Sequence, residues 1–146
     1  MLIVQRSQST FGLSDADWNA AKGELRAAIL AAARERRMTS YGEIASKVTT
    51  THVEAFSPLM NHLLGAIFRD ENDAGRHALT SIVTHKSGDK EPGPGFYDMA
   101  RGLGIQFTEP YLYWATQVQD VFTLHGQPRR TRLVGADARD EDRREQ

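Results

Sequence analysis

The sequence predicts a mostly helical α+β domain, winged helix-turn-helix-like with a short β-hairpin. Three observations predict it. A strongly periodic helix covers residues 15–36, two more capped helix starts follow it, and a β-branched run then leads into a glycine-rich turn. Helix, short helix, helix, strand and turn is the order of a helix-turn-helix unit followed by a wing.

Residues 1–13 alternate loosely through Leu2 and Val4, as a short edge strand or a flexible lead would. Ser14 is a good N-cap and Asp17 adds negative charge to the first turn of the first helix. Trp18, Ala21, Leu25, Ala28, Ile29 and Ala32 then recur at helical spacing, with Lys22, Glu24, Arg26 and Glu35 on the opposite face. Ser40 and Glu43 form a capping box that starts a short helix at Tyr41, with Ile44, Ala45 and Val48 inward. Ser57-Pro58 is another start, and Leu59, Met60, Leu63, Leu64 and Ile67 make the apolar face behind it. The run Asp70 to Gly75 reads as a polar break.

Leu79 to Thr84 is β-branched and reads as a strand; Lys86 to Lys90 reads as its turn. A short helix is expected over residues 96–103, ended by Gly104. The last helix is expected from about Glu109 to Leu124, capped by Thr108, with Tyr111, Trp114, Ala115, Val118, Val121 and Phe122 on one face. Residues 1–125 therefore form one globular unit. Residues 126–146 are rich in Arg, Asp and Glu and nearly free of apolar side chains, the composition of a disordered tail.

Composition excludes several classes. The chain has 146 residues and no cysteine, which removes disulfides, thiolate catalysis and cysteine-ligated zinc, and fits a reducing, cytoplasmic compartment. No apolar run approaches the roughly 18 residues of a membrane span, and no signal peptide is evident. Eighteen Lys and Arg against 19 Asp and Glu give a net charge of −1, so any nucleic-acid affinity has to come from a local basic patch.

The segment Met38-Thr39-Ser40-Tyr41-Gly42-Glu43-Ile44-Ala45 resembles the Val-Thr-Thr-Tyr-Gly-x-Ile-Ala of the winged-helix domain of alkylguanine alkyltransferases and alkyltransferase-like proteins. Leu64-Gly65-Ala66 resembles the end of that family's recognition helix, and Pro92-Gly93-Pro94-Gly95-Phe96 its glycine-rich stretch before a helix. The likeness spans about residues 20–106 in order. It implies a winged-helix module that contacts DNA, with Tyr41 at the place of the tyrosine that rotates a nucleotide phosphate. Thr80 stands at the place of the alkyl-accepting cysteine, Ser81 and Ile82 at those of the following His and Arg, and His62 at that of the recognition-helix arginine. Alkyl transfer is therefore not implied.

The candidate nucleic-acid-binding residues are Tyr41, Asn61, His62, Arg69, Arg34, Arg37, Lys86 and Lys90. Helix-start amides at Tyr41 suit a phosphate, and its hydroxyl adds a donor. Asn and Arg are the side chains that read adenine and guanine edges. Arg34 and Arg37, with Arg36, precede the Tyr41 helix and suit phosphate, as do Lys86 and Lys90 beside the wing; all equally suit ordinary solvated turns or helix ends. The expected function is a non-catalytic DNA-binding module. The alternative is a protein-interaction or oligomerisation module of a bacterial or phage assembly, drawn from the neutral charge and the aromatic last helix with Tyr113 and Trp114. DNA, a protein partner or a second copy of the chain are the expected partners, with no membrane. A hydrolase or metal reading rests only on His77, His85 and Asp89, which lack ligand spacing, so no metal and no cofactor is expected.

Overall fold

The computed structural model describes residues 11–85 and 92–127. Helix α1, Asp15–Arg34, starts where Ser14 Oγ accepts the Asp17 N–H at 3.1 Å. Its stripe of Ala21, Leu25, Ile29, Ala32 and Ala33 is buried. The helix stops short of residue 36 because Arg36 turns left-handed (φ 58°), which breaks the repeat. The chain then runs through β1, Thr39–Ser40, into the five-residue α2, Tyr41–Ala45, where Ser40 Oγ accepts the Glu43 N–H at 3.2 Å.

The loop from α2 to the next helix is pinned from below and from the side. Val48 and Val53 are buried beneath it. Glu24 of α1 accepts the N–H groups of Thr49 and Thr50, both at 3.0 Å, and the Thr49 hydroxyl at 2.6 Å. The Thr49 hydroxyl and the neighbouring donors hold the Glu24 carboxyl down at about 2.

Helix α3, Pro58–Asp73, begins with proline at its first turn and Ser57 Oγ accepting the Met60 N–H at 3.2 Å. Met60, Leu63, Ile67 and Phe68 face the core. The polar break expected to begin at Asp70 comes only after Asp73, where α3 ends. Glu71 is fully buried and sits between Arg26 Nε at 2.8 Å and Arg76, whose Nε and Nη2 donate at 2.7 and 3.1 Å. Lys22 also reaches Asp70 at 2.8 Å. The charged faces of α1 and α3 are thus paired with each other, and that pairing carries the helix through an acidic stretch.

The expected strand over residues 79–84 is mostly a 3₁₀ turn, Leu79–Ile82, followed by β2, Val83–Thr84. The short β-hairpin is corrected as well. β1 and β2 pair in parallel, Thr39 with Val83 and Ser40 with Thr84, so they are not two arms joined by one turn. The physical reason is the crossover through α2 and α3, which returns the chain in the same direction. The expected wing turn, with Lys86 and Lys90, lies outside the described residues, as does the tail from residue 128.

Helix α4, Pro94–Gly102, starts earlier than expected, with Gly93 as N-cap and Pro94 in its first turn; Phe96 and Ala100 are buried. Helix α5, Pro110–His125, has Glu109 rather than Thr108 at its N-cap and makes no side-chain cap bond. Trp114 and Val121 are buried, whereas Tyr111 is 60% exposed and leaves the expected shared face. Trp114 Nε1–H donates to the Ser81 carbonyl at 2.7 Å, and Gln117 Oε1 accepts the Ala78 N–H at 2.9 Å, so α5 clamps the 3₁₀ turn. The architecture is therefore mostly helical α+β, with five α-helices and one two-stranded sheet among the described residues. None of these helices is long and apolar enough to cross a membrane.

Candidate nucleic-acid interface

The parallel register decides what stands at the mouth of the site. β1 and β2 end side by side, so the residues that follow them, Tyr41 and His85, emerge together with ring centroids 5.4 Å apart. Phe56, on the pinned loop, completes a trio. Its ring stacks on His85 at 5.4 Å and 21°, and lies 5.3 Å from Tyr41. Phe56 immediately precedes the N-cap of α3, where an apolar residue usually packs against the fourth helical residue. That residue is Asn61, so Phe56 has no apolar staple partner and stays 70% exposed.

Behind the trio opens a cleft of about 790 Å³ between α3 and α4. Asn61, Gly65 and Arg69 of α3 form one wall, and Gly93 to Phe96 with Met99 form the other. The half-buried Tyr41 ring has its hydroxyl pushed above the usual phenol range by burial, against which the Gly93 N–H acts as a donor. Tyr41 therefore braces the start of α4. Thr80 lines the cleft from the 3₁₀ turn and is 7% exposed.

Of the residues expected from sequence, the fold brings Tyr41, Asn61 and Arg69 together at this cleft. Asn61 and Arg69 are exposed, and neither side chain bonds another described residue. His62 borders a smaller adjoining depression with Trp18. Its Nδ1 lies 3.1 Å from the Pro58 carbonyl, which can only accept, so Nδ1 carries a proton and donates it there. Phe11 meets the His62 ring edge-on at 5.0 Å.

Arg37 is engaged elsewhere, with Glu35 at 2.6 Å and Glu43 at 2.9 Å. Arg34 lies in the last turn of α1, away from the lining of either depression, and its carbonyl accepts the Gln127 N–H at 3.0 Å. The two histidines considered for a metal or hydrolase site have different company. His77 lies 3.6 Å from Asp120 on α5, while His85 stacks on Phe56. Asp89 is outside the described residues. Among the described residues no three His, Cys, Asp or Glu side chains gather as metal ligands.

Compared with protein-family models, curated proteins and solved structures, the chain matches none.

Proposed function

We propose that the chain is a DNA-binding module of winged-helix kind that acts without catalysis. The observation that carries this reading is the pair Asn61 and Arg69. Both are exposed, both are unengaged by other described side chains, and both border the same two depressions on α3. Amide and guanidinium groups in that state suit base edges or phosphate. The helix order, with a short capped α2 before a longer α3, supports the winged-helix assignment.

Fluorescence anisotropy with labelled DNA, as single strand and as duplex, at low and at physiological salt, tests the reading. Salt-sensitive binding of either form is expected. Arg69→Ala is expected to weaken binding about tenfold and to lower the salt slope by about one. No binding of either form at low salt would sink the proposal.

A second reading, a protein-interaction module, is favoured by one observation. Tyr111, Leu112 and Leu124 of α5 are 60%, 62% and 50% exposed, an unusual amount of large apolar surface for one helix. Under it, sedimentation is expected to show an assembly that Leu112→Ser dissociates. A monomer at every concentration, with no change on substitution, would remove self-association.

A further inference from the structure

The cleft of about 790 Å³ and the depression of about 460 Å³ adjoin, since Asn61, Gly65, Arg69 and Met99 line both. At the shared stretch Gly65 leaves the space that the Met99 tip occupies; a Cβ there would meet Met99 Cε at 2.5 Å. The result is one groove with rings at each end, Phe56 and His85 at the first and Trp18 and His62 at the second.

We infer that this groove binds single-stranded nucleic acid, with unpaired bases laid flat on its aromatic ends and the backbone passing Arg69. The inference rests on the DNA-binding reading above and narrows its substrate. Phe56 carries the argument furthest. One side of its ring is backed by His85, yet the residue remains 70% exposed, so a ring face is presented to solvent on a fixed support. Bases inside a duplex already have both faces covered by their neighbours. A stacking platform is therefore usable by an unpaired strand and largely wasted on a duplex.

Charge and polarity along the groove agree. Arg69 has no carboxylate partner among the described residues, and the lining carboxylate Asp98 lies 3.8 Å from Arg101. Thr80 adds a hydroxyl to the lining of the cleft, and it bonds no other described residue.

The test compares a fluorescein-labelled oligothymidine strand with the same strand annealed to its complement. The single strand is expected to bind at least tenfold more tightly. Phe56→Ala is expected to weaken single-strand binding about tenfold and leave duplex binding unchanged, with the melting curve of the protein unaltered. Phe56→Leu keeps apolar bulk without a flat face, and is expected to lose nearly as much. Equal or tighter binding of the duplex overturns this inference and leaves the DNA-binding reading standing. Failure of both forms at low salt overturns both. A folded Phe56→Ala protein with undiminished single-strand affinity also overturns it.

Discussion

Replacing Glu71 by glutamine is expected to destabilise the protein by about 3 kcal/mol, the lower end of what breaking a buried ion pair costs. The lower end applies because the two partners are only partly withdrawn from water, Arg26 at 33% and Arg76 at 41% side-chain exposure, so solvent takes up part of the stranded charge. The carboxylate itself is fully buried. Urea unfolding reads the change as a lower midpoint with an unchanged slope. A loss below about 0.5 kcal/mol would mean the triad behaves as an ordinary surface pair. Arg26→Ala or Arg76→Ala alone is expected to cost less, since one cation then remains on the carboxylate.

The same residue sets a pH dependence. Burial alone would raise the Glu71 pKa, but hydrogen bonds from Arg76 and Arg26 outweigh it and hold the carboxyl below its usual 4.5. A carboxyl depressed in the folded state stabilises fully above the unfolded value. That contribution is lost as pH falls through the folded value. Glu24, held at about 2, acts in the same direction on the loop that carries Phe56. The melting temperature is expected to fall steadily from pH 4.5 towards 2, and Glu71→Gln is expected to flatten that limb. A wild-type curve already flat over this range would contradict the assignment.

Trp114→Ala carries the other large effect, about 4 kcal/mol. Its ring is 7% exposed and packs in the second core cluster with Phe68, Ala78, Phe96 and Ala100. Domains are commonly stable by only about 5–15 kcal/mol, so this variant is expected to be marginal at physiological temperature. Trp114→Phe separates packing from bonding. It keeps an aromatic ring but removes the donor to the Ser81 carbonyl, and is expected to lose about 2 kcal/mol. Thermal melts of the two variants decide the matter. A Trp114→Ala protein within about 1 kcal/mol of wild type would mean that α5 is not clamped to the 3₁₀ turn as described.

Local signals carried most of the helices. Ser14 before α1 and Ser57-Pro58 before α3 are caps with a mechanism, and each cap bond is made. The failures lie where a distant partner decides. Asp70 to Asp73 looked like a break because nothing nearby shows that Arg26 waits for Glu71. Leu79 to Ile82 has strand propensity, yet α5 clamps it as a 3₁₀ turn through Trp114 and Gln117. Of the site, Tyr41, Asn61 and Arg69 were legible from caps and from the exposed face of α3. Phe56 was not singled out, although a phenylalanine before an N-cap with asparagine at the staple position is a readable signal. The meeting of Tyr41 with His85 was hidden, because strand register is not a local property.

The parallel two-residue ladder has a consequence for how such a protein tolerates changes in length. Tyr41 and His85 are fixed to each other by register, whereas Phe56 hangs on a loop that contributes nothing to the ladder. Insertions or deletions between Thr50 and Phe56 slide one jaw of the groove and leave the other still. One extra residue between Ser40 and Tyr41 would instead throw the tyrosine out of step with its partner. The aperture of the groove is thus adjustable by loop length alone, without redesign of the core.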